Sequence, residues 1–289
     1  MRIAVIQMNS GDEKAANIEQ ARHLVGQAVR EDRPDMVVLP EVWAHMGGSS
    51  AARRASGEVL PGSDAQPGGE AQPGGEAQPG GEAWTALRDM AREHGVFLHG
   101  GSIFERDDEA LFNTTVAFDR DGRELARYRK IHLFDITTPD GRDYRESSLV
   151  GRGEDIVTYE ADGVRIGCTI CYDLRFGELY RLLAEAGARV IMVPSAFTLQ
   201  TGKDHWEVLL RARAIETQTY MVAAAQWGAF PSGDGVRHNW GHSMIVDPWG
   251  HVLAQARDGR GFATARIDLP YLEKVRGNLP VHRHRVLRG

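Results

Sequence analysis

The sequence predicts an α/β layered domain in which helices flank a mixed sheet or two sheets. Three observations point there: short β-branched runs that read as buried strands, apolar residues recurring at helical spacing between them, and hairpin signals within the same stretches.

Ile3-Ala-Val-Ile-Gln-Met8 opens the chain as a buried strand. Ile18, Ala21, Val25 and Ala28 then recur at three- and four-residue steps, which gives a helix one apolar face. Asp35-Met-Val-Val-Leu39 is a second buried strand, ended by Pro40, which lacks the N–H a ladder needs. A helix over about Ala83–His94 turns Trp84, Leu87 and Ala91 inward and stops at Gly95. Strands follow at Val96–Gly101, Thr114–Asp119 and Glu124–Tyr128, the last two joined by an Asp121-Gly122 turn. The second half repeats the alternation. Val164–Ile170 is a strand, Leu179, Leu182, Leu183 and Ala186 form a helical face closed by Gly187, and Val190–Val193 is a buried strand. Asp204-x-x-Glu207 has the capping-box pattern and predicts a helix from there through about Thr217. Strands at Met221–Gln226, Ser243–Asp247, His251–Ala256 and Gly261–Ile267 and a helix at Leu269–Asn278 complete the chain.

One segment stands apart. Ala65-Gln-Pro-Gly-Gly-Glu70 recurs as 71–76 and 77–82. A solenoid repeat buries an apolar face against its neighbours, and these hexamers have no large apolar side chain to bury. Residues 65–82 therefore read as a surface insertion in a single domain spanning 1–289.

The chain has 289 residues, 42% apolar and 26% charged, an ordinary globular balance that excludes a disordered chain, a coiled coil or a collagen-like fibre. Forty acidic against 34 basic residues give a net charge of −6, which offers no attraction to nucleic acid or an anionic membrane. The apolar run Ile3–Met8 is too short for a signal-peptide core, and no run approaches the roughly 18 residues of a membrane helix. A soluble, cytoplasmic protein is expected.

Cys168 and Cys171 are the only cysteines, so no disulfide framework exists. On a strand their Cα atoms stand roughly 10 Å apart, against about 7 Å for a disulfide. No second Cys pair completes a tetrahedral metal site. His238 and His242 have the spacing of a helical zinc pair, but Asn239 stands where a zinc protease needs its glutamate and Trp240-Gly241 reads as loop. Gly241-His-Ser-Met-Ile245 lacks the second glycine of a serine-hydrolase elbow. Neither a phosphate-cradling loop nor a dinucleotide fingerprint is present.

Cys171 ends the strand from Val164, Glu41 follows the strand ending at Pro40, and Lys130 follows Glu124–Tyr128. Singly, each has a bland explanation: a small buried thiol, a loop carboxylate, an exposed charge. Together they are chemically coherent. A thiol is only partly ionised at neutral pH and needs a base, while an oxyanion formed by attack on a carbonyl needs a fixed positive charge.

Around these residues the sequence resembles the nitrilase superfamily of carbon–nitrogen hydrolases. Leu39-Pro-Glu41 resembles its glutamate motif, Tyr128-Arg-Lys-Ile-His-Leu-Phe-Asp135 its lysine motif, and Gly167-Cys-Thr-Ile-Cys-Tyr-Asp-Leu-Arg-Phe176 its nucleophile motif. Glu146, in Arg145-Glu-Ser-Ser148, corresponds to the family's second glutamate. The segments His205–Glu216, Ala223–Gln226, Gly241–Gly250 and Leu279–His282 resemble the branch of deaminated glutathione amidases and ω-amidases. The resemblance implies a four-layer α-β-β-α sandwich that pairs as a homodimer or higher homo-oligomer and needs no metal or organic cofactor. It implies catalysis by Glu41, Lys130, Cys171 and Glu146, with the Tyr172 backbone amide helping Lys130 hold the oxyanion. Glu146 would orient Lys130 or the substrate amide. Arg175 is either a carboxylate ligand or a partner of a nearby acid such as Asp173, and Phe197 and Thr198 are expected pocket residues. The implied activity is hydrolysis of a small-molecule amide, deaminated glutathione first. An ω-amidase, an N-carbamoyl amidohydrolase and a non-catalytic interaction protein on this fold are the alternatives.

Overall fold

The computed structural model describes residues 1–62, 80–138, 141–233 and 235–287. The repeats expected at 65–82 lie outside the described residues as far as position 79. The end of the third copy is described, and there Glu82 already opens the helix Glu82–His94.

Two sheets occupy the middle of the molecule. The first runs in the order Gly261–Arg266, Arg2–Gln7, Met36–Val38, Phe97–His99, Ala110–Phe118 and Ile103–Asp107, with Glu124–Arg129 also paired to Ala110–Phe118. The second runs Val252–Gln255, Met244–Val246, Tyr220–Ala223, Val190–Met192, Val164–Cys168 and Thr158–Ala161. In each sheet three central strands are parallel and their outer neighbours antiparallel.

Alternate residues of the first sheet serve different layers. Ile3, Val5, Met36 and Val38 pack with Ile166, Cys168, Val190 and Met192 of the second sheet. Ala4, Ile6, Val37 and Leu39 pack instead with Ala21, Leu24 and Val25 of helix Lys14–Asp32 and with Trp84 and Leu87 of Glu82–His94. Burial on both faces explains why these strands read as unbroken apolar runs. On the far side, helices Gly177–Glu185 and Leu199–Thr217 deliver Leu179, Tyr180, Leu183, Trp206 and Leu210 to the second sheet's core. The order is helix, sheet, sheet, helix: a four-layer α-β-β-α sandwich.

Several local expectations are corrected. In Gly177–Glu185, Leu182 is 40% exposed and Tyr180 takes the inward position. The helix expected at Asp204 begins at Leu199, with the Thr198 hydroxyl accepting the Thr201 N–H at 3.3 Å. Packing extends it backwards: the Phe197 and Trp206 rings lie 4.9 Å apart, and Gly202 passes so close to Trp240 that a Cβ there would sit 2.1 Å from that side chain. The strand Ile103–Asp107, the hairpin Trp227–Ser232 with Gly235–Trp240, the small hairpin Asp135–Thr137 with Asp143–Arg145 and the helix Ser50–Ala55 carry no periodic apolar signal and were not expected. No helix among the described residues is long and apolar enough to cross a membrane.

Candidate active site

Glu41 and Cys171 stand just beyond the carboxyl ends of parallel strands, where α/β sheets gather their ligands, and Lys130 follows the strand Glu124–Arg129. The Glu41 loop is pinned from several sides. The Val42 N–H donates to Ser102 Oγ at 3.0 Å, Trp43 Nε1 to Gly100 O at 2.9 Å, and Gln226 Nε2 to Glu41 O at 3.1 Å. Gly101, at φ 60°, lies so close beneath this loop that a Cβ would fall 2.0 Å from Pro40 O. Val42 itself is held at φ 40°, a conformation that a β-branched residue strongly disfavours.

Cys171 opens the 3₁₀ turn Cys171–Arg175 at φ 49°, also left-handed, with its N–H donating to Pro194 O at 2.9 Å. Such a conformation costs about 1–3 kcal/mol and persists where surrounding contacts enforce it. Asp173 supplies those contacts. Its fully buried carboxylate accepts the Ile170 N–H at 2.9 Å, the Tyr128 hydroxyl at 2.7 Å and the His132 N–H at 3.0 Å, and lies 2.7 Å from His132 Nδ1. One side chain thus ties the nucleophile turn to the segment carrying Lys130.

The structure brings Glu41, Lys130, Glu146 and Cys171 together. Lys130 is 1% exposed, and its ammonium donates to Glu41 Oε1 at 2.9 Å and to Glu146 Oε1 and Oε2 at 3.1 and 2.9 Å. Burial opposes its charge, but Glu146, Glu41 and Cys171 more than offset that and hold the ammonium well above the usual lysine range. Glu146 starts a 3₁₀ turn and is fixed by the Phe134 N–H at 2.7 Å. Burial first, then the Glu41 charge, push the thiol of Cys171 well above its ordinary range, while Lys130 and the Ala196 N–H pull the other way. The resting thiol is therefore protonated, with the Glu41 carboxylate in the same cavity.

These four groups line a cavity of about 350 Å³, at the small end of ordinary ligand sites. Tyr172, Phe197 and Thr198 line it as well. Phe134 meets Tyr144 and Tyr172 edge to face, with ring centroids 5.2 and 5.1 Å apart, and forms an aromatic wall. Arg175 does not line the cavity and does not pair with Asp173. Its guanidinium lies 5.9 and 5.5 Å from the Tyr172 and Phe197 ring centroids and 3.3 Å from His205 Nδ1.

Sequence reasoning missed Asn113, whose Nδ2 donates to Glu41 at 2.9 Å and Glu146 at 3.1 Å and so spaces the two carboxylates. Nothing local in Phe112-Asn-Thr114 signals this. It also passed over Asp173 as a positioning group, although the side chain stands only two residues from Cys171.

The family model for carbon-nitrogen hydrolases matches residues 2–277. The chain belongs to the carbon–nitrogen hydrolases. This hydrolase is 39% identical to a deaminated glutathione amidase of Synechocystis sp., over 98% of the chain and 97% of that relative. It is 35% identical to the omega-amidase NIT2 of Homo sapiens, over 98% of the chain and 94% of the relative. Among solved structures, the Caenorhabditis elegans NitFhit protein superposes with a TM-score of 0.83 at 36% identity. That match covers 98% of this chain but only 64% of the longer NitFhit chain. The hydrolase is an enzyme of the amidase type.

Proposed function

We propose that the protein hydrolyses a side-chain amide of a small keto acid through a thioester on Cys171, with deaminated glutathione as its best substrate. The observation that carries this reading is that Cys171 lines one cavity with Glu41 and with the buried Lys130, whose ammonium donates to Glu41 at 2.9 Å. As Sγ attacks the amide carbon, its proton passes to Glu41, and the oxyanion is held by Lys130 Nζ and the backbone N–H of Tyr172. That N–H lies in the first turn of the Cys171–Arg175 helix, where backbone donors have no intrahelical partner. When the tetrahedral intermediate collapses, Glu41 returns the proton to the departing nitrogen, which leaves as an amine and frees the acyl group as a thioester. Glu41 then takes a proton from water, hydroxide adds to the thioester, and the acid departs as Cys171 recovers its proton. Glu146 positions Lys130 throughout.

The deaminated glutathione and omega-amidase names of its relatives support this substrate class and divide it by leaving group, Cys-Gly against ammonia. A panel of deaminated glutathione, 2-oxoglutaramate and an N-carbamoyl amino acid, compared by kcat/KM, tests it. Deaminated glutathione is expected to lead. Preference for the N-carbamoyl compound, or turnover of none, contradicts the reading.

A further inference from the structure

Asn113 is 1% exposed and sits within the strand Ala110–Phe118, paired in register with Phe104. Its backbone carbonyl accepts the Lys130 N–H at 2.9 Å, so the residue holds Lys130 by its main chain and the two glutamates by its side chain. Nδ2 has two hydrogens, and each is used: one bond runs to Glu41 Oε1 at 2.9 Å, the other to Glu146 Oε1 at 3.1 Å. The acceptor end differs. Oδ1 is buried with no hydrogen-bond partner among the described residues. Turning the amide over would set the lone pairs of Oδ1 against two carboxylates, so charge dictates which end faces them. Buried acceptors are rarely left unsatisfied, and this one is tolerated to keep Nδ2 between the two acids.

Lys130 shows what the amide changes. Its ammonium spans both oxygens of Glu146, at 3.1 and 2.9 Å, but touches Glu41 at Oε1 alone, at 2.9 Å. Oε1 of Glu41 therefore receives two donors, the ammonium and the Asn113 amide, and both of its lone pairs are taken. No N–H among the described residues bonds to Oε2.

We propose that Asn113 is a positioning residue that fixes Glu41 by one carboxylate oxygen and so reserves the other, Oε2, as the atom that exchanges protons during catalysis. The inference deepens the proposed mechanism and rests on Glu41 being its base. As Sγ bonds to the amide carbon, the S–H bond breaks, Oε2 gains the proton, and one electron pair of the C=O bond moves onto oxygen. When the oxyanion collapses, the C–N bond breaks with its electron pair on nitrogen, and the Oε2 proton joins that nitrogen. Without Nδ2, Glu41 can share both oxygens with Lys130, as Glu146 does, and Oε2 is drawn away from the reaction.

Asn113→Leu keeps the bulk and removes the donor; Asn113→Ala does the same if leucine overfills the site. Both are compared with wild type by kcat/KM, which reports the steps through thioester formation, on two substrates. One is an amide that the wild type hydrolyses. The other is p-nitrophenyl acetate, whose phenolate leaves without a proton. Amide kcat/KM is expected to fall roughly 100-fold and ester kcat/KM less than about 10-fold, since proton delivery to nitrogen is lost to the amide alone. A merely structural role would lower both alike. Losses within about 3-fold of each other, or an amide loss below about 3-fold, overturn the proposal. Wild-type preference for an amide other than deaminated glutathione defeats the substrate reading and leaves Asn113 in its role, whereas a wild type inert to every amide overturns both.

Discussion

At Cys171 opposed influences act on one proton: burial and the Glu41 carboxylate keep it on sulfur, while Lys130 and the Ala196 N–H draw it off. Glu41→Gln therefore has two separable effects. Hydrolysis should fall roughly 10²- to 10⁴-fold, because the base is gone. The pH profile of Cys171 alkylation should nonetheless move to lower pH, because Lys130 then acts on the thiol unopposed by that charge. Turnover that survives, or an alkylation profile displaced upward, contradicts the assignment of Glu41. At this scale the sequence was informative where chemistry concentrates in short motifs, as in Leu39-Pro-Glu41 and Ile170-Cys-Tyr-Asp173. It was silent where a role exists only through space. Asn113 bridges two carboxylates 72 and 33 residues away, and no local pattern encodes that.

Helix starts show the same division among elements. Glu82–His94 begins after Gly81, which has no side chain to cap it. The missing acceptor comes from Glu58, whose buried carboxylate takes the Ala83 and Trp84 N–H groups at 2.8 and 3.1 Å and pairs with Lys14 at 2.8 Å. A Cβ on residue 81 would fall 2.3 Å from that carboxyl group, so the glycine is required by the cap itself. Glu58→Ala strands those donors and the Lys14 charge and should lower stability by about 3 kcal/mol, read from urea unfolding. A loss below about 1 kcal/mol would show the cap to be dispensable. Gly95, at φ 60°, ends the same helix as the sequence predicts, because a C-terminal glycine acts locally. At Thr198 and Asp204 two capping patterns competed, and contacts of Trp206 and Trp240 decided for the earlier one. The cavity walls were least legible. Short hairpins such as Asp135–Thr137 with Asp143–Arg145 alternate too briefly to stand out from loop, and they carry Tyr144 and Arg145.

For the molecule as a whole, periodicity left open one mixed sheet or two, since strands buried on both faces do not reveal what lies over each face. The two-sheet core has a consequence for acid stability. His99 is fully buried, 3.1 Å from the Tyr159 hydroxyl of the opposite sheet, and burial pulls its imidazole down to about 3. The unfolded chain takes up a proton near 6.5 that the folded one refuses, so stability is untouched above that pH and falls as pH drops from 6.5 toward 3. Between pH 7 and pH 5 this single group should remove about 2 kcal/mol. His99→Gln should flatten that part of the urea-unfolding profile, and an unchanged slope would assign the acid sensitivity elsewhere. The most direct test of the whole account is amine or ammonia release by Cys171→Ala, with its thermal unfolding followed alongside. Abolished release in a protein that melts like the wild type is predicted, whereas substantial release would mean that the carbon–nitrogen bond is broken without this sulfur.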